Sequence, residues 1–482
     1  MNIRMIANLI GRVLCLEAFF LLPSAGISLI YKEYDIIFAI LISVVIMAAV
    51  GGLLQFFKQT RKTYYAREGF VAVALTWVVI SIFGALPFYI SGAIPSFLDA
   101  VFETISGFTT TGASILTDVE AMPKGLLYWR SFTHWLGGMG VLVFVLAVQP
   151  KAKGAGEGMY LMKAESPGPE VDKLVPKTGS SAKILYLIYI GLCVIQFILQ
   201  ALGGMPWFDN ITTVFGTAGT GGFGIRGDSI GGYSPYIQVI VTIFMSLFGV
   251  NFSLYYLLVT GKFRQMFKNE EFRLYWLIQI FSAALIAINT RQFYSSFGET
   301  VRHAAFQVSS IMTTTGFATV NFDLWPEFSK WILLLLMFVG ASAGSTGGGI
   351  KVSRILLLIK ASFCERKRLL NPRKISLVRM DGRVVQDATI RGIWQYMGFY
   401  LVIAAISLLL LSLDGFGIET TFSAMAACLN NIGPGFGVCG PAGNFATYSD
   451  LSKVVLCLDM LLGRLEIIPF MMLFAPSNWS KG

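Results

Sequence analysis

One pattern limits this chain more than any other: a long apolar segment, a short segment with a glycine-containing tail, and a second long apolar segment, in that order, four times. The short segments are FLDAVFETISGFTTTGAS, WFDNITTVFGTAGTGGFG, FGETVRHAAFQVSSIMTTTGFAT and IETTFSAMAACLNNIGPGFG. A bilayer core takes about 20 mostly apolar residues per helix. The long segments meet that requirement and the short ones do not, so each short segment enters and leaves by the same side. Internal repetition of this kind sets the architecture before any single motif is interpreted. The sequence reads as an all-α polytopic membrane protein. A two-helix N-terminal segment (1–68) precedes four helix–pore-loop–helix repeats (69–181, 182–271, 272–391 and 392–482) arranged around one pseudo-fourfold pore.

Composition excludes the soluble classes, since 55% of the residues are hydrophobic and only 13% are charged. The apolar run near 8–31 is followed at once by a second span, without a persuasive small-residue cleavage site, and reads as an anchor. Of the 37 Lys and Arg residues, 22 lie in the short connections 58–68, 151–183, 261–273 and 361–391. By the positive-inside rule these connections are cytoplasmic. The expected location is a plasma membrane, crossed many times and surrounded by lipid, with the N-terminus in the cytoplasm. Topology accounts for the net charge of +10, and the basic residues form no nucleic-acid-binding module. The six cysteines, Cys15, Cys193, Cys364, Cys428, Cys439 and Cys457, are scattered without a CxxC, which supports neither a disulfide framework nor a metal site.

Each short segment has an acidic residue near its start (Asp99, Asp209, Glu299, Glu419). Acid in a first helical turn complements the positive end of the helix dipole, so the negative ends point to where the tails begin. Aligned by letter, the tails place Gly112, Gly221, Gly316 and Gly433 at one position, preceded by Thr111, Thr220, Thr315 and Ile432. Non-helical backbone at membrane depth is tolerated only where protein buries it or where it lines a watery cavity. Four such tails around an axis make a ring of backbone carbonyls, which can replace the hydration shell of a monovalent cation. Glycine suits the ring because inward-facing carbonyls require backbone angles that a Cβ opposes. Gly- and Thr-rich patches also mark close helix packing. Four of them in the same setting favour a filter.

The motifs VFETISGFTTTGA, AGTGGF, AFQVSSIMTTTGFAT followed by LWP, GASAGSTGGGIKV, LNNIGPGFG and LLGRLEI, in this order, resemble the Trk/Ktr/HKT potassium transporter superfamily, and most closely the bacterial Trk-type membrane subunit. The resemblance covers essentially the whole chain, including the two extra N-terminal helices. It implies potassium uptake through a filter formed by Thr110, Thr111, Gly112, Thr220, Gly221, Gly222, Thr314, Thr315, Gly316, Asn431, Ile432 and Gly433. Potassium would be held at Thr111, Thr220, Thr315 and Ile432. It also implies the bacterial inner membrane as the location, a homodimer and cytoplasmic nucleotide-binding regulatory subunits, with no cofactor beyond the transported potassium. A secondary symporter that couples potassium to sodium or protons is the alternative.

Between Gly340 and Gly349 the third inner segment has five Gly, two Ser and one Thr in ten residues. Each interior Gly costs a helix about 1 kcal/mol relative to Ala, so a broken helix is expected there, and the other three inner segments have no such run. The resemblance makes Gly344, Ser345, Thr346, Gly347, Gly348 and Gly349 an intramembrane gate. It makes Arg464 a fixed positive charge below the filter, with a buried ion pair to Asp459 or Glu466 as the lesser alternative. Glu103 fits a hydrogen-bonded structural role better than a coordinating one. Three motifs mislead. GTGGFG (219–224) has no βαβ context for a dinucleotide fingerprint, and GSTGGGIK (from 344) fails the phosphate-loop spacing. GASAG (340–344) suggests an intramembrane serine hydrolase acting through Ser342, but a Ser nucleophile needs a base. The only histidines, His134 and His303, belong to segments nearer the outer side.

Overall fold

The structure, a computed structural model, describes residues 3–57, 66–138, 140, 178–373 and 376–474. Most of the basic connections 58–68 and 151–183 lies outside the described residues. The two N-terminal helices, Ile3–Ile30 and Tyr34–Gln55, pack through glycine. A Cβ on Gly11 would lie 2.6 Å from the Gly51 carbonyl oxygen, and one on Gly51 would lie 2.8 Å from that of Gly11. Small residues allow this close approach without a hydrophobic driving force between helices. Glu33, in the turn between them, accepts the Lys124 and Gly125 amide N–H groups at 2.7 and 3.0 Å, and so ties the pair to the first repeat.

The outer helices of the four repeats are Ala66–Gly84, Thr178–Leu202, Glu270–Asn289 and Asp387–Leu411. The pore helices are Phe97–Phe108, Trp207–Gly219, Phe297–Met312 and Ile418–Leu429. Ser96 and Ser296 cap the first and third pore helices by accepting the Asp99 and Glu299 N–H groups. All four first-turn acids face a base. Asp99 stands 2.6 Å from Lys453, Asp209 2.8 Å from Arg226, Glu299 3.9 Å from His303 and Glu419 2.9 Å from Lys330. Two of these contacts cross between repeats and fix a pore helix against the inner helix of a neighbouring repeat, Asp99 on Lys453 and Glu419 on Lys330.

The second, third and fourth inner segments depart from the expected long spans, and the first is described only to Gly138 and at Gly140. Their helices, Lys124–Gly138, Pro235–Phe248, Glu327–Val339 and Asp450–Arg464, have 13 to 15 residues. At 1.5 Å per residue they reach only about 20–23 Å. The third is interrupted after Val339 and resumes as Val352–Leu370, as its glycines predict. The second also breaks. It turns by 95° and continues as Phe252–Val259, with Asn251 accepting the Ser253 N–H to start the new helix. Gly249 is pressed there against the Tyr275 hydroxyl, which a Cβ would approach to 2.4 Å. The fourth stops at Arg464, Glu466 takes left-handed backbone (φ 63°), and a short helix follows at Ile467–Met471. The breaks in the second and fourth inner segments, at Gly249 and Glu466, come without a glycine run such as the third carries.

Candidate functional site

All four pore helices end in the same turn. The first marker is a left-handed residue: Thr110 (φ 55°), Thr220 (φ 55°), Thr314 (φ 59°) and Asn431 (φ 56°). The next residue sends its N–H back five positions. Thr111 donates to Ser106 O at 2.9 Å, Gly221 to Gly216 O at 2.9 Å, Thr315 to Ser310 O at 2.8 Å and Ile432 to Ala427 O at 2.8 Å. This satisfies a helix-end carbonyl in the Schellman manner. A left-handed glycine then follows: Gly112 (φ 83°), Gly222 (φ 70°), Gly316 (φ 85°) and Gly433 (φ 98°). A β-branched residue in left-handed backbone is costly, and strain held by its surroundings collects at functional sites.

These markers correct the alignment by letter in the second repeat. The partner of Gly112, Gly316 and Gly433 is Gly222. Gly221, not Thr220, stands where Thr111, Thr315 and Ile432 stand. Thr220 precedes two glycines, so the Thr-Gly pair that matches by eye comes one residue too early, and backbone conformation decides the register.

The four glycines close a ring. A Cβ on Gly112 would lie 1.9 Å from the Gly221 carbonyl oxygen, and one on Gly222 1.9 Å from that of Thr315. One on Gly316 would lie 2.1 Å from the Ile432 oxygen, and one on Gly433 2.7 Å from that of Thr111. Each tail abuts the next and the fourth abuts the first, so the carbonyls of Thr111, Gly221, Thr315 and Ile432 belong to one circuit.

Side chains behind the ring hold it. Thr109 and Thr313 donate to the pore-helix carbonyls of Ile105 and Ser309, and accept from the Thr111 and Thr315 hydroxyls at 2.8 and 2.7 Å. Asn431 Nδ2 donates to Thr111 Oγ1 at 2.9 Å and to Met460 O at 2.8 Å, which joins the fourth repeat to the first. Glu103 is buried and plays the structural role expected of it. It pairs with Arg130 at 2.5 Å and accepts from Ser114 Oγ and the Ile115 N–H, both at 2.9 Å. Arg130 also donates to Gly224 O at 2.8 Å and covers the Phe223 ring at 3.5 Å. His134 accepts the Phe223 N–H at Nε2, 3.2 Å away, so the proton sits on Nδ1, which donates to Gly107 O at 2.7 Å. Arg130 and His134 are functional neighbours that sequence reasoning missed. The only signal was the presence of ionisable side chains in an inner segment, YWRSFTHWLGG.

The glycine-rich loop lies against the third and fourth tails. The Gly348 N–H donates to Thr314 Oγ1 at 2.6 Å, a Cβ on Gly347 would lie 2.7 Å from Thr313 O, and one on Gly348 2.4 Å from Asn430 O. The loop also fills the break in the second inner helix. The Ser342 N–H donates to Gly249 O at 3.1 Å, the Phe252 N–H to Gly344 O at 3.0 Å, and Thr346 Oγ1 to Phe248 O at 3.2 Å. Gly344 and Gly349 are left-handed, and Ser345 Oγ closes a turn on Ser342 O at 2.6 Å. Arg464 reaches the loop from the fourth repeat. It donates to Thr346 O at 2.7 Å, to Gly138 O at 2.8 Å and to Gly137 O. Lys351 donates to Gly347 O. Glu466 pairs with Arg354, and Asp459 accepts from Ser407 at 2.7 Å.

Ser342 is buried at 2% exposure, and both imidazoles are engaged elsewhere, His134 as above and His303 with Thr319 Oγ1 at 2.9 Å. The GASAG match therefore has no imidazole base beside it.

A profile of the TrkH family, described as cation transport proteins, matches residues 36–481. The Trk system potassium uptake protein TrkH of Salmonella typhimurium is 36% identical over 491 residues and covers 100% of both chains. The Trk system potassium uptake protein TrkG of Escherichia coli K12 is 33% identical over 487 residues, 99% of each chain. The crystal structure of the potassium transporter TrkH from Vibrio parahaemolyticus superposes with a TM-score of 0.88 at 32% identity, covering 100% of both chains.

Proposed function

The chain belongs to the TrkH family of cation transport proteins, membrane transporters rather than enzymes, and from that premise we propose that it carries potassium inward across the plasma membrane by channel-like permeation. The observation that carries this reading is the closed circuit of four like turns, because each turn contributes a backbone carbonyl at the equivalent position. In this reading the carbonyls of Thr111, Gly221, Thr315 and Ile432 replace the ion's water, and Gly112, Gly222, Gly316 and Gly433 keep the space free of side chains. Four negative pore-helix ends beside the ring favour a cation there. Membrane potential drives the ion by about 2.3 kcal/mol per charge per 100 mV.

The loop Gly344–Gly349 acts as the gate beneath the filter. Arg464, held on the loop and on Gly138, adds a positive charge that limits occupancy by a second cation. Two copies of the chain and cytoplasmic nucleotide-binding subunits complete the assembly, and the subunits set the gate. The test is rubidium uptake into liposomes that contain this chain alone, at a clamped diffusion potential. Uptake should follow voltage and persist without sodium or a pH gradient. Uptake that needs either gradient at fixed voltage overturns permeation in favour of symport.

A further inference from the structure

The start of the third outer helix makes an unusual set of contacts. Three consecutive residues, Asn269, Glu270 and Glu271, each hold a different part of the third repeat. Asn269 Nδ2 and the Glu270 N–H both donate to Asp381, at 2.7 and 2.8 Å. Asp381 is the exposed, left-handed (φ 50°) turn residue of the hairpin whose strands are Arg379–Met380 and Arg383–Val384. Glu270 pairs with Lys360 on the helix that follows the glycine-rich loop, and Lys360 also donates to Arg379 O of the hairpin at 2.8 Å. Glu271 is buried, at 4% exposure. One of its oxygens, Oε1, accepts the Ala343 N–H at 2.7 Å and the Ser353 N–H at 3.2 Å. These residues lie at opposite ends of the interruption, one near the end of the broken helix and one in the helix that resumes, so a single oxygen clasps both sides of the loop.

We propose that Glu271 is the positioning residue that keeps the loop seated under the ring, and that residues 269–271 relay displacement of the hairpin to the loop. This rests on the loop being the gate. The relay follows from connectivity. The hairpin and the resumed helix are tied to residues 269 and 270, and the loop to residue 271 on the same helical turn, so the hairpin cannot shift without loading the clasp. An element with two discrete placements is what such a load would bias.

The test is rubidium uptake into liposomes by the full-length chain without a partner. It compares Glu271→Ala, Glu271→Gln and Asp381→Ala with a deletion of Gly344–Gly349, and records thermal unfolding and the rubidium-to-sodium ratio alongside. Gln keeps an oxygen where Oε1 stands, so Glu271→Gln should retain near wild-type resting uptake. Glu271→Ala should raise it about tenfold, the change that corresponds to roughly 1.4 kcal/mol. Asp381→Ala should raise it about threefold, a loss of roughly 0.6 kcal/mol by the same conversion. In the loop-deleted background Glu271→Ala should add nothing. Leakage through the deletion but not through Glu271→Ala overturns the clasp. Equal leakage through the Ala and Gln variants assigns the effect to charge, and also overturns it. A deletion that folds and does not leak removes the gate reading itself, a different failure. If Glu271→Ala does not fold, Asp381→Ala, on an exposed turn, decides alone: unchanged resting uptake overturns the relay.

Discussion

The carbonyl ring and the glycine-rich loop touch, through the Gly348 N–H on Thr314 Oγ1, yet they are held in opposite ways. The ring is made four times from local instructions. Each repeat supplies a helix end, a left-handed residue, a backbone bond over five positions and a left-handed glycine. The loop occurs once, and its seat comes from elsewhere: Arg464 of the fourth repeat, Glu271 of the outer helix, Gly249 of the broken second inner helix and the hydroxyl of Thr314. A ring whose every turn is set by its own backbone, and is braced besides by Asn431 and Arg130, resists displacement, whereas a loop seated by contacts from elsewhere is, in the gating reading proposed above, the element free to shift. That contrast suits a constant filter above a movable obstruction.

The contrast can be broken at its strongest point first. Arg130→Met leaves Glu103 charged and uncompensated in the interior, which costs about 3–5 kcal/mol. Thermal unfolding in detergent should show a large loss, and unchanged stability would mean that the pair does not brace the ring. Next comes the register of the second tail. Gly222→Ala drives a Cβ into the backbone oxygen of Thr315 in a left-handed conformation, and flux should fall about 100-fold for roughly 3 kcal/mol of strain. Gly221→Ala meets the His134 ring instead, at 2.3 Å. Shrinking His134 to Ala in the same chain should therefore restore part of the flux to Gly221→Ala and none to Gly222→Ala. The reverse result would return the register to the alignment by letter.

For the loop, deleting part of Gly344–Gly349 should raise partner-free flux about tenfold or more, with the potassium-to-sodium ratio unchanged. A selectivity change there would merge the two regions into one device. Arg464→Ala frees the Thr346 and Gly138 carbonyls and removes a positive charge from beside the ion path, so flux should rise severalfold. A fall in flux together with a loss of thermal stability would assign Arg464 a structural role. The smallest effect is expected at Arg226→Ala, whose ion pair with Asp209 is 37% exposed on the arginine side. Such pairs contribute about 1 kcal/mol or less, and unfolding temperature and selectivity should both stay within error.

The repeat order, the re-entrant pieces and the interrupted third inner helix were legible because each is written locally, in segment length or glycine density. The register of the second tail was not. Left-handed backbone is a property of conformation, and Thr220 adopts it despite its branched Cβ, held by the same helix-end bonds as Thr110 and Thr314. The breaks after Phe248 and Arg464 were hidden because neither Gly249 nor Glu466 sits in a run of glycines. What decides them, the Tyr275 hydroxyl against Gly249 and Arg354 beside Glu466, comes from distant parts of the chain. Arg130 and His134 became legible only when folding brought Glu103, Gly107 and Phe223 to them.

The claim that four tails make one potassium-binding ring is tested most directly by anomalous diffraction from crystals soaked in rubidium. A peak on the pore axis, bounded by the carbonyl oxygens of Thr111, Gly221, Thr315 and Ile432 and lost in Gly222→Ala, is the expected result. Rubidium bound elsewhere along the pore, with no peak between those four oxygens in a chain that conducts it, would contradict the ring.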